Sequence, residues 1–355
     1  MYVMEKLDYR KIPLVKLVDK ILVNAAKANA SDIHFDPYEK FLKVRVRIDG
    51  DLRDYLELPE ELKKPITSRI KILSNLNITE TRLPQDGPIK ATIEGVKLDI
   101  RVSTLPTQFG EKIVLRLLDY SMSFEGLEAL GFAPDNLEKV KRMMSLPHGI
   151  ILVTGATGTG KTTTLYSILQ QLNKENVNII TVEDPIEMPI PGINQLQVNP
   201  NIGLTFATAL RSILRQDPNI IMIGEIRDSE TARIAIRASI TGHLVLSTIH
   251  TNNSLNTIER LLDMDVERYL LATALEGVIS QNLVRKVCDQ CKTTREANYY
   301  EKELFRQILN KEINTVVYGT GCEYCNNNGY RGRIAIQEVL EIDQDIRDMI
   351  AANAS

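Results

Sequence analysis

The run Gly155-Ala-Thr-Gly-Thr-Gly160-Lys161-Thr162 constrains the fold of this 355-residue chain more than any other segment. It matches the pattern G-x-x-x-x-G-K-[S/T], which forms phosphate-binding loops. The apolar segment Gly149–Thr154 before it predicts a short buried strand, and apolar residues recur at helical spacing from Lys161 to Leu172 after it. A strand, a glycine-rich turn and a helix N-terminus place successive backbone N–H groups around a phosphate chain. The segment therefore predicts a nucleotide-binding α/β domain.

The residues of this loop have distinct predicted contacts. Lys161 is expected to reach the β- and γ-phosphates of a nucleotide, and the Thr162 hydroxyl is expected to ligate Mg²⁺. A nucleotide and Mg²⁺ are therefore predicted cofactors. The other predicted nucleotide-binding residues are Thr157, Gly158, Thr159, Gly160 and Thr163.

The composition limits the classes of protein to which the chain can belong. It is 43% hydrophobic and 25% charged, which is typical of a globular protein. A net charge of -3 provides no general basic surface, so no nucleic-acid partner is expected. No apolar run approaches the roughly 20 residues that span a bilayer, and the N-terminus lacks an apolar signal core. We expect a cytoplasmic protein that attaches to the membrane only through a partner.

The four cysteines form two C-x-x-C pairs about 30 residues apart, a spacing typical of a Cys₄ zinc site. The predicted Zn²⁺ ligands are Cys288, Cys291, Cys322 and Cys325. A redox role is disfavoured because no thioredoxin-like βαβ unit adjoins either pair. Unrelated free thiols remain an alternative. A closed Cys₄ site would hold a subdomain together without taking part in catalysis.

The pattern along the chain predicts two domains. Residues 1–119 combine amphipathic helices with alternating strands, which indicates a small α+β domain, and residues 120–131 lose periodicity and are interpreted as a linker. Residues 132–355 are predicted to form the nucleotide-binding domain, with a zinc-knuckle region at 284–334 and a mostly helical tail from about Asn256. Short apolar strands indicate a parallel sheet covered on both faces; they are Ile150–Val153, Ile179–Val182, Ile220–Ile223 and Leu244–Ser247.

Polar residues follow three of these strands. Glu183 and Glu225 each follow an apolar strand, and His250 follows a third. Ligands bind at the carboxyl ends of parallel strands, so these side chains are expected near the γ-phosphate. Hydrolysis requires one group that orients or deprotonates water and another that holds the Mg²⁺ shell. Solvated loop acids are the alternative. His243, at the opposite end of its strand, is equally compatible with a structural and a functional role.

Several motifs together resemble those of the secretion-type motor ATPases of type IV pilus assembly, type II secretion and competence pseudopili. The resemblance covers nearly the whole chain. Besides the phosphate-binding loop, it rests on the segments Ala30-Ser-Asp-Ile-His-Phe-Asp-Pro37, Arg82-Leu-Pro-Gln-Asp-Gly87, Arg101-Val-Ser-Thr-Leu-Pro106, Val182-Glu-Asp-Pro-Ile-Glu187, Leu214-Arg-Gln-Asp-Pro-Asn219, Ile223-Gly-Glu-Ile-Arg-Asp228, Thr241-Gly-His243, Ser247-Thr-Ile-His-Thr-Asn252 and Gly329-Tyr-Arg-Gly-Arg-Ile334.

The resemblance implies a RecA-like P-loop domain after a smaller PAS-like domain, in a homohexamer with ATP between the two modules. Glu183 matches the catalytic base, Glu225 the Walker-B acid that holds Mg²⁺ directly or through water, and His250 a phosphate-contacting histidine. Arg101 and Arg116 match arginines that approach the phosphates and can stabilise charge there. Arginines held in salt bridges on the strands are the alternative for this pair.

The cysteine pairs resemble the zinc knuckle of assembly and secretion motors, which retraction motors generally lack. This resemblance favours extension or secretion over retraction. The implied function is ATP hydrolysis coupled to rotation of one module against the other, which drives an inner-membrane platform protein. A retraction motor, a nucleic-acid motor of RecA-like type and an adaptor without turnover are the alternatives. Assembly motors usually carry a further N-terminal domain, whereas this chain begins almost at the ATPase core. A short competence-type member or a truncated form is therefore expected.

Overall fold

The computed structural model describes residue 4, residues 7–118 and residues 126–352. The chain divides into two compact units. The first contains the described residues of Met1–Ser121 together with Arg285–Gly332, and the second contains those of Met122–Val284 and Arg333–Ser355. Half of the linker predicted at residues 120–131, namely residues 120–125, lies outside the described residues, and the predicted domain boundaries remain predictions.

The first unit is built on a six-stranded sheet with the order β3-β2-β1-β6-β5-β4, in which the paired strands are antiparallel. Short 3₁₀ helices lie at Tyr9–Lys11 and Glu60–Leu62. The other elements before residue 119 are α1 (Leu14–Lys27), β1 (Asp32–Pro37), β2 (Phe41–Ile48), β3 (Asp51–Pro59), α2 (Lys63–Leu73), β4 (Gln85–Ile93), β5 (Val96–Thr107) and β6 (Gly110–Leu118).

The two faces of this sheet differ because residues alternate along each strand. Ile33 and Phe35 of β1 are buried in the hydrophobic core with the apolar stripe of α1. Asp32 and Asp36 alternate with them, so they point to the other face. There the Arg45 Nε donates to Asp36 Oδ2 at 2.7 Å, and the Lys112 ammonium also donates to the Asp36 carboxylate. This face therefore carries buried carboxylates paired with cations.

The Asp36 carboxylate makes the first unit sensitive to acid. Burial acts to raise the pKa of Asp36, but hydrogen bonds from Arg45 and Lys112 outweigh burial and lower it. Because the pKa is lower in the folded state, the ionised carboxylate stabilises the fold above the unfolded-state pKa of about 4. This stabilisation is lost as the pH falls through the folded-state pKa. We expect Asp36→Asn to lower the free energy of unfolding by roughly 1–3 kcal/mol at neutral pH. Below about pH 4 the unfolding free energies of the variant and the wild type should approach each other.

Urea unfolding across a pH series measures this effect. Asp54→Asn is the matched control, because Asp54 pairs with Lys43 at 3.0 Å in an exposed position. An exposed pair contributes at most about 1 kcal/mol. If both variants lowered the free energy of unfolding equally and independently of pH, the Asp36 carboxylate would not be the acid-sensitive group.

The remaining elements are helices and strands in mixed order. Among the described residues, no helix is both long enough and apolar enough to cross a membrane. Short 3₁₀ helices occur at Leu127–Leu130, Pro200–Ile202 and Glu323–Cys325. The other elements are α3 (Pro134–Met144), β7 (Gly149–Thr154), α4 (Lys161–Leu172), β8 (Ile179–Glu183), β9 (Asn194–Gln197), α5 (Phe206–Ile213), β10 (Ile220–Ile223), α6 (Ser229–Ile240), β11 (Leu244–Ile249), α7 (Ser254–Asp263), α8 (Arg268–Ala274), β12 (Leu275–Val287), β13 (Lys292–Glu296), α9 (Tyr299–Leu309), β14 (Thr315–Gly319), β15 (Tyr330–Glu341) and α10 (Gln344–Ala352).

The second unit is built on a seven-stranded sheet with the order β15-β12-β7-β11-β10-β8-β9. The strands from β12 to β9 in this order pair in parallel. Every residue of β7, β8, β10 and β11 is buried, and hydrophobic clusters cover both faces of the sheet. The prediction of an α/β fold with a buried parallel sheet is therefore confirmed.

The prediction of a mostly helical tail from about Asn256 was wrong. After α7 and α8 the chain enters β12, a 13-residue strand between β7 and β15. All residues of Leu275–Gln281 are buried except Glu276, which is partly buried. Because both faces of β12 are covered here, its sequence lacks the alternation that identifies a half-buried strand, and a short apolar run is equally compatible with a helix.

Candidate functional site

The phosphate-binding loop joins β7 to the N-terminus of α4. Three glycines in it have positive φ angles: Gly155 at 142°, Gly158 at 80° and Gly160 at 86°. The Lys161 ammonium donates to the carbonyl oxygens of Gly155 at 2.8 Å and Ala156 at 2.9 Å. Burial lowers the pKa of Lys161, and the Glu225 carboxylate acts in the opposite direction. The loop carbonyls thus hold the Lys161 ammonium, which also interacts electrostatically with the Glu225 carboxylate.

The other predicted loop residues differ in exposure. Thr157, Gly158 and Thr162 are exposed, and Gly160 and Thr163 are partly exposed. Thr159 is buried, and its hydroxyl donates to the Ala156 carbonyl at 2.9 Å. Thr162 lies on the first turn of α4, where a hydroxyl can face a metal ion held by phosphates.

Gln281 of β12, which the sequence did not identify, lies directly behind this loop. Its side chain is 2% exposed. The amide Nε2 donates to the Thr159 carbonyl at 2.6 Å, and Oε1 accepts a hydrogen bond from the Thr164 hydroxyl at 2.7 Å. A Cβ on Gly155 would lie 2.2 Å from the Gln281 carbonyl oxygen. At least this loop glycine is therefore required by β12 itself.

A second group of charged side chains lies around Glu225, just after β10. The Glu225 carboxylate accepts from the Arg227 Nε at 2.6 Å and lies 3.4 Å from the His250 Nε2. Glu225 is mostly buried, whereas the His250 side chain is half exposed. The sequence predicted Glu225 and His250 at the site, but it gave no indication that Arg227 pairs with the acid.

Glu183, the last residue of β8, has a different environment. It is 3% exposed, and its carboxylate accepts hydrogen bonds from the Tyr166 hydroxyl, from Thr181 Oγ1 at 2.5 Å and from Gln195 Nε2 at 3.0 Å. Burial raises the pKa of Tyr166, and the hydrogen bond to Glu183 acts in the same direction. The side chain is therefore fixed by donors from β8, α4 and β9.

The parallel register brings these residues to one edge of the sheet. β10 pairs with β8 on one side and with β11 on the other, and β11 pairs with β7. Glu183 at the end of β8, Glu225 just after β10 and His250 just after β11 therefore lie at the edge of the sheet where the phosphate-binding loop begins. His243, at the opposite edge, contacts the Ala238 carbonyl through Nδ1 at 2.9 Å.

The first unit contains the predicted arginines. Arg101 of β5 is the cross-strand neighbour of Arg116 of β6, and Arg116 is the neighbour of Asp32 of β1. The Arg116 Nε donates to Asp32 Oδ1 at 3.1 Å, yet 63% of its side chain is exposed. Both arginines line a pocket of about 520 Å³, together with Asp86. Arg116 is therefore in a salt bridge, as the alternative proposed, but most of its side chain remains exposed to solvent.

The four cysteine sulfurs form one cluster within the first unit, and all lie within 4.8 Å of one another. The Sγ atoms of Cys288 and Cys322 are 3.9 Å apart, and those of Cys291 and Cys325 are 3.8 Å apart. Four sulfurs at about 2.3 Å from a tetrahedral Zn²⁺ are about 3.8 Å apart. The cysteines are therefore positioned to bind a metal such as zinc.

Backbone amides favour a thiolate within this cluster. The N–H groups of Cys322 and Gly329 each donate to Cys325 Sγ at 3.2 Å. Burial acts to raise the pKa of Cys325, but these hydrogen bonds, together with those from the Cys322 and Cys291 thiols, lower the pKa to about 6. A metal-binding cysteine must be deprotonated, so the surroundings of Cys325 fit a ligand.

Two glycines of the phosphate-binding loop provide a matched test of its packing. We expect Gly155→Ala to destabilise the second unit strongly, because the new Cβ would overlap the Gln281 carbonyl at 2.2 Å. Gly158→Ala also introduces a side chain at positive φ, but into open space. It should cost only about 1–2 kcal/mol. Thermal unfolding compares the two variants, and equal stabilities would contradict this packing.

A buried parallel sheet with a phosphate-binding loop and acids at its carboxyl edge defines a P-loop α/β protein. The family described as Type II/IV secretion system protein matches residues 8–355. The chain belongs to this family. The resemblance inferred from its motifs is therefore confirmed.

Two relatives illustrate the range of the family. The chain is 48% identical over 342 residues to the type II secretion system ATPase E of Vibrio cholerae, covering 96% of this chain and 68% of the relative. It is 49% identical over 347 residues to the type IV pilus assembly ATPase PilB of Myxococcus xanthus, covering 97% of this chain and 61% of the relative.

Solved structures show similar folds. The pilus retraction motor PilT with bound ADP aligns with a TM-score of 0.63 at 29% identity, covering 94% of this chain and 86% of PilT. The ATPase DotB of Legionella pneumophila aligns with a TM-score of 0.70 at 21% identity, covering 98% of this chain and 88% of DotB. The DotB similarity supports the fold alone.

Proposed function

We propose that this chain is an ATP hydrolase that powers type IV pilus or pseudopilus assembly, or type II secretion. The observation that carries the proposal is the convergence of Lys161, Glu225 and His250 at the carboxyl edge of the sheet, where Glu225 is 3.4 Å from His250. Family membership and relatives described as type II secretion and type IV pilus assembly ATPases support the same function.

The proposed roles follow from the surroundings of each side chain. Lys161 and the loop N–H groups bind the β- and γ-phosphates, and Thr162 and Glu225 hold Mg²⁺, which neutralises charge that develops during transfer. His250 contacts the γ-phosphate. Glu183 accepts a proton from, or orients, the attacking water. Its three hydrogen-bond donors fix the side chain at the end of β8.

The arginine pocket of the first unit supplies the remaining positive charge. We propose that Arg101 and Arg116 act on ATP bound by a neighbouring chain of a homohexamer. The exposure of Arg116 and the pocket of about 520 Å³ support this role. Guanidinium groups that reach a transferred phosphoryl can accelerate its transfer by several orders of magnitude.

The finer architecture belongs to the same proposal. Residues 1–119 form a PAS-like domain and residues 132–355 a RecA-like domain, and hydrolysis rotates one domain against the other to move an inner-membrane platform protein. The chain acts at the cytoplasmic face of the membrane through that partner. Retraction is the alternative output, because PilT shares the fold. The cysteine cluster and the identity of 49% to an assembly ATPase favour extension.

Mixing two inactive variants tests whether active sites are shared between chains. Lys161→Ala removes the phosphate-binding lysine and Arg116→Ala removes the proposed neighbouring arginine, so each alone should lower ATP turnover at least about a hundredfold. Mixed rings would contain sites with both residues intact. We expect mixing to restore measurable turnover in a phosphate-release assay.

A mixture of Lys161→Ala with Lys161→Ala,Arg116→Ala is the control, because every site in it lacks the lysine. Turnover in the first mixture no higher than in this control would contradict the shared site. No turnover in the wild-type chain would contradict the proposed hydrolase.

The cysteine cluster is proposed to hold Zn²⁺. We expect about one zinc ion per chain by elemental analysis, because four thiolates complete one tetrahedral site. Cys291→Ser should remove the ion and lower the melting temperature of the first unit. Thr320→Ser is the control, since Thr320 donates to the Cys291 carbonyl and serine keeps that hydroxyl. A wild-type chain purified without zinc and unaffected by chelators would contradict the site.

A further inference from the structure

We infer that Gln281 is a positioning residue that orients the phosphate-binding loop toward the nucleotide. The inference rests on the proposed nucleotide site and goes beyond it by assigning a role to a side chain on a different strand. Gln281 lies on β12, more than 100 positions along the chain from the loop, and is 2% exposed. Both ends of its amide are hydrogen-bonded, to Thr159 and to Thr164.

Gln281 determines the direction of the Thr159 carbonyl. Gln281 Nε2 donates to this carbonyl oxygen at 2.6 Å, on the β12 side of the loop. In a trans peptide the N–H of the next residue points opposite to the C=O, and the Thr159–Gly160 bond is trans. Holding the carbonyl toward β12 therefore turns the Gly160 N–H away from β12. Phosphate-binding loops bind their ligand with such N–H groups.

The Thr164 hydroxyl fixes which way the Gln281 amide faces. It donates to Oε1 at 2.7 Å, and Thr164 is fully buried one turn into α4. With Oε1 occupied by a donor, Nε2 is directed at the Thr159 carbonyl. A flipped amide would place its NH₂ group against the Thr164 hydroxyl and its oxygen against a carbonyl, an arrangement that loses the bond to Thr159.

The side chain and the backbone of Gln281 also contact two glycines of the same loop. A Cβ on Gly160 would lie 2.9 Å from Gln281 Nε2, and one on Gly155 would lie 2.2 Å from the Gln281 carbonyl. The glycines at both ends of the loop therefore allow contact with Gln281. Packing alone would be kept by a methionine of similar length, whereas carbonyl orientation needs the amide. This difference separates a positioning role from a purely structural one.

The test compares MgADP binding by full-length variants. Gln281→Met keeps the volume and removes both hydrogen bonds, and Gln281→Glu keeps the acceptor for Thr164 but loses the donor to Thr159. We expect both to raise the dissociation constant for MgADP by about tenfold to a hundredfold, which is the effect of losing one hydrogen bond to a charged ligand. Asn24→Leu is the matched control, because it removes a buried amide in the first unit that donates to the Tyr55 hydroxyl at 2.9 Å.

The readout is the rise in melting temperature that MgADP produces, measured against each variant's own value without nucleotide. A structural role would lower the melting temperature but leave this rise unchanged. We expect the rise to be largely lost in Gln281→Met and Gln281→Glu and retained in Asn24→Leu. An unchanged rise in Gln281→Met, with wild type binding normally, would overturn the role of Gln281 alone. Absence of MgADP binding by wild type would instead overturn the proposed function.

A second pair of variants tests the same role if Gln281 variants do not fold. Thr164→Val removes the hydroxyl that orients the Gln281 amide, whereas Thr164→Ser keeps it. We expect Thr164→Val to weaken MgADP binding severalfold and Thr164→Ser to bind like wild type. Equal affinities of the two Thr164 variants would contradict the orientation of the loop through Gln281.

Discussion

The close approach of the phosphate-binding loop to β12 is the contact on which the candidate nucleotide site depends. Gly155 packs against the Gln281 carbonyl at a distance that excludes a Cβ, and a Cβ on Gly160 would lie 2.9 Å from the end of the Gln281 side chain. The Lys161 ammonium then closes the loop through the Gly155 and Ala156 carbonyls. Sequence motifs attribute loop glycines to the ligand. In this chain, a neighbouring strand of the same sheet also requires Gly155.

The two acids of the site lie at the ends of adjacent parallel strands but differ in their surroundings. Glu183 is buried and held by neutral donors from Tyr166, Thr181 and Gln195. Glu225 lies between the charged Arg227 and the imidazole of His250. Acids in contrasting environments can take different roles in one reaction. This contrast supports separate proposed roles, with Glu183 acting on water and Glu225 holding the metal.

Local sequence patterns predicted much of this structure. The loop, the four buried strands and the cysteine cluster were predicted because their signals are contiguous or regularly spaced. The strand β12 was missed, since burial on both faces removes the alternation of a strand. Gln281, Arg227 and Gln195 were missed for a different reason: their hydrogen bonds and ion pairs depend on the fold around them. No spacing in the sequence marks such contacts.

The proposed action of Arg101 and Arg116 on ATP bound by a neighbouring chain requires an assembled ring. We would therefore measure ATP turnover per chain across a wide range of protein concentration. We expect diluted chains to be nearly inactive and specific activity to rise as rings form, in step with the oligomeric state. A specific activity that stays constant on dilution into the monomer range would contradict the shared site.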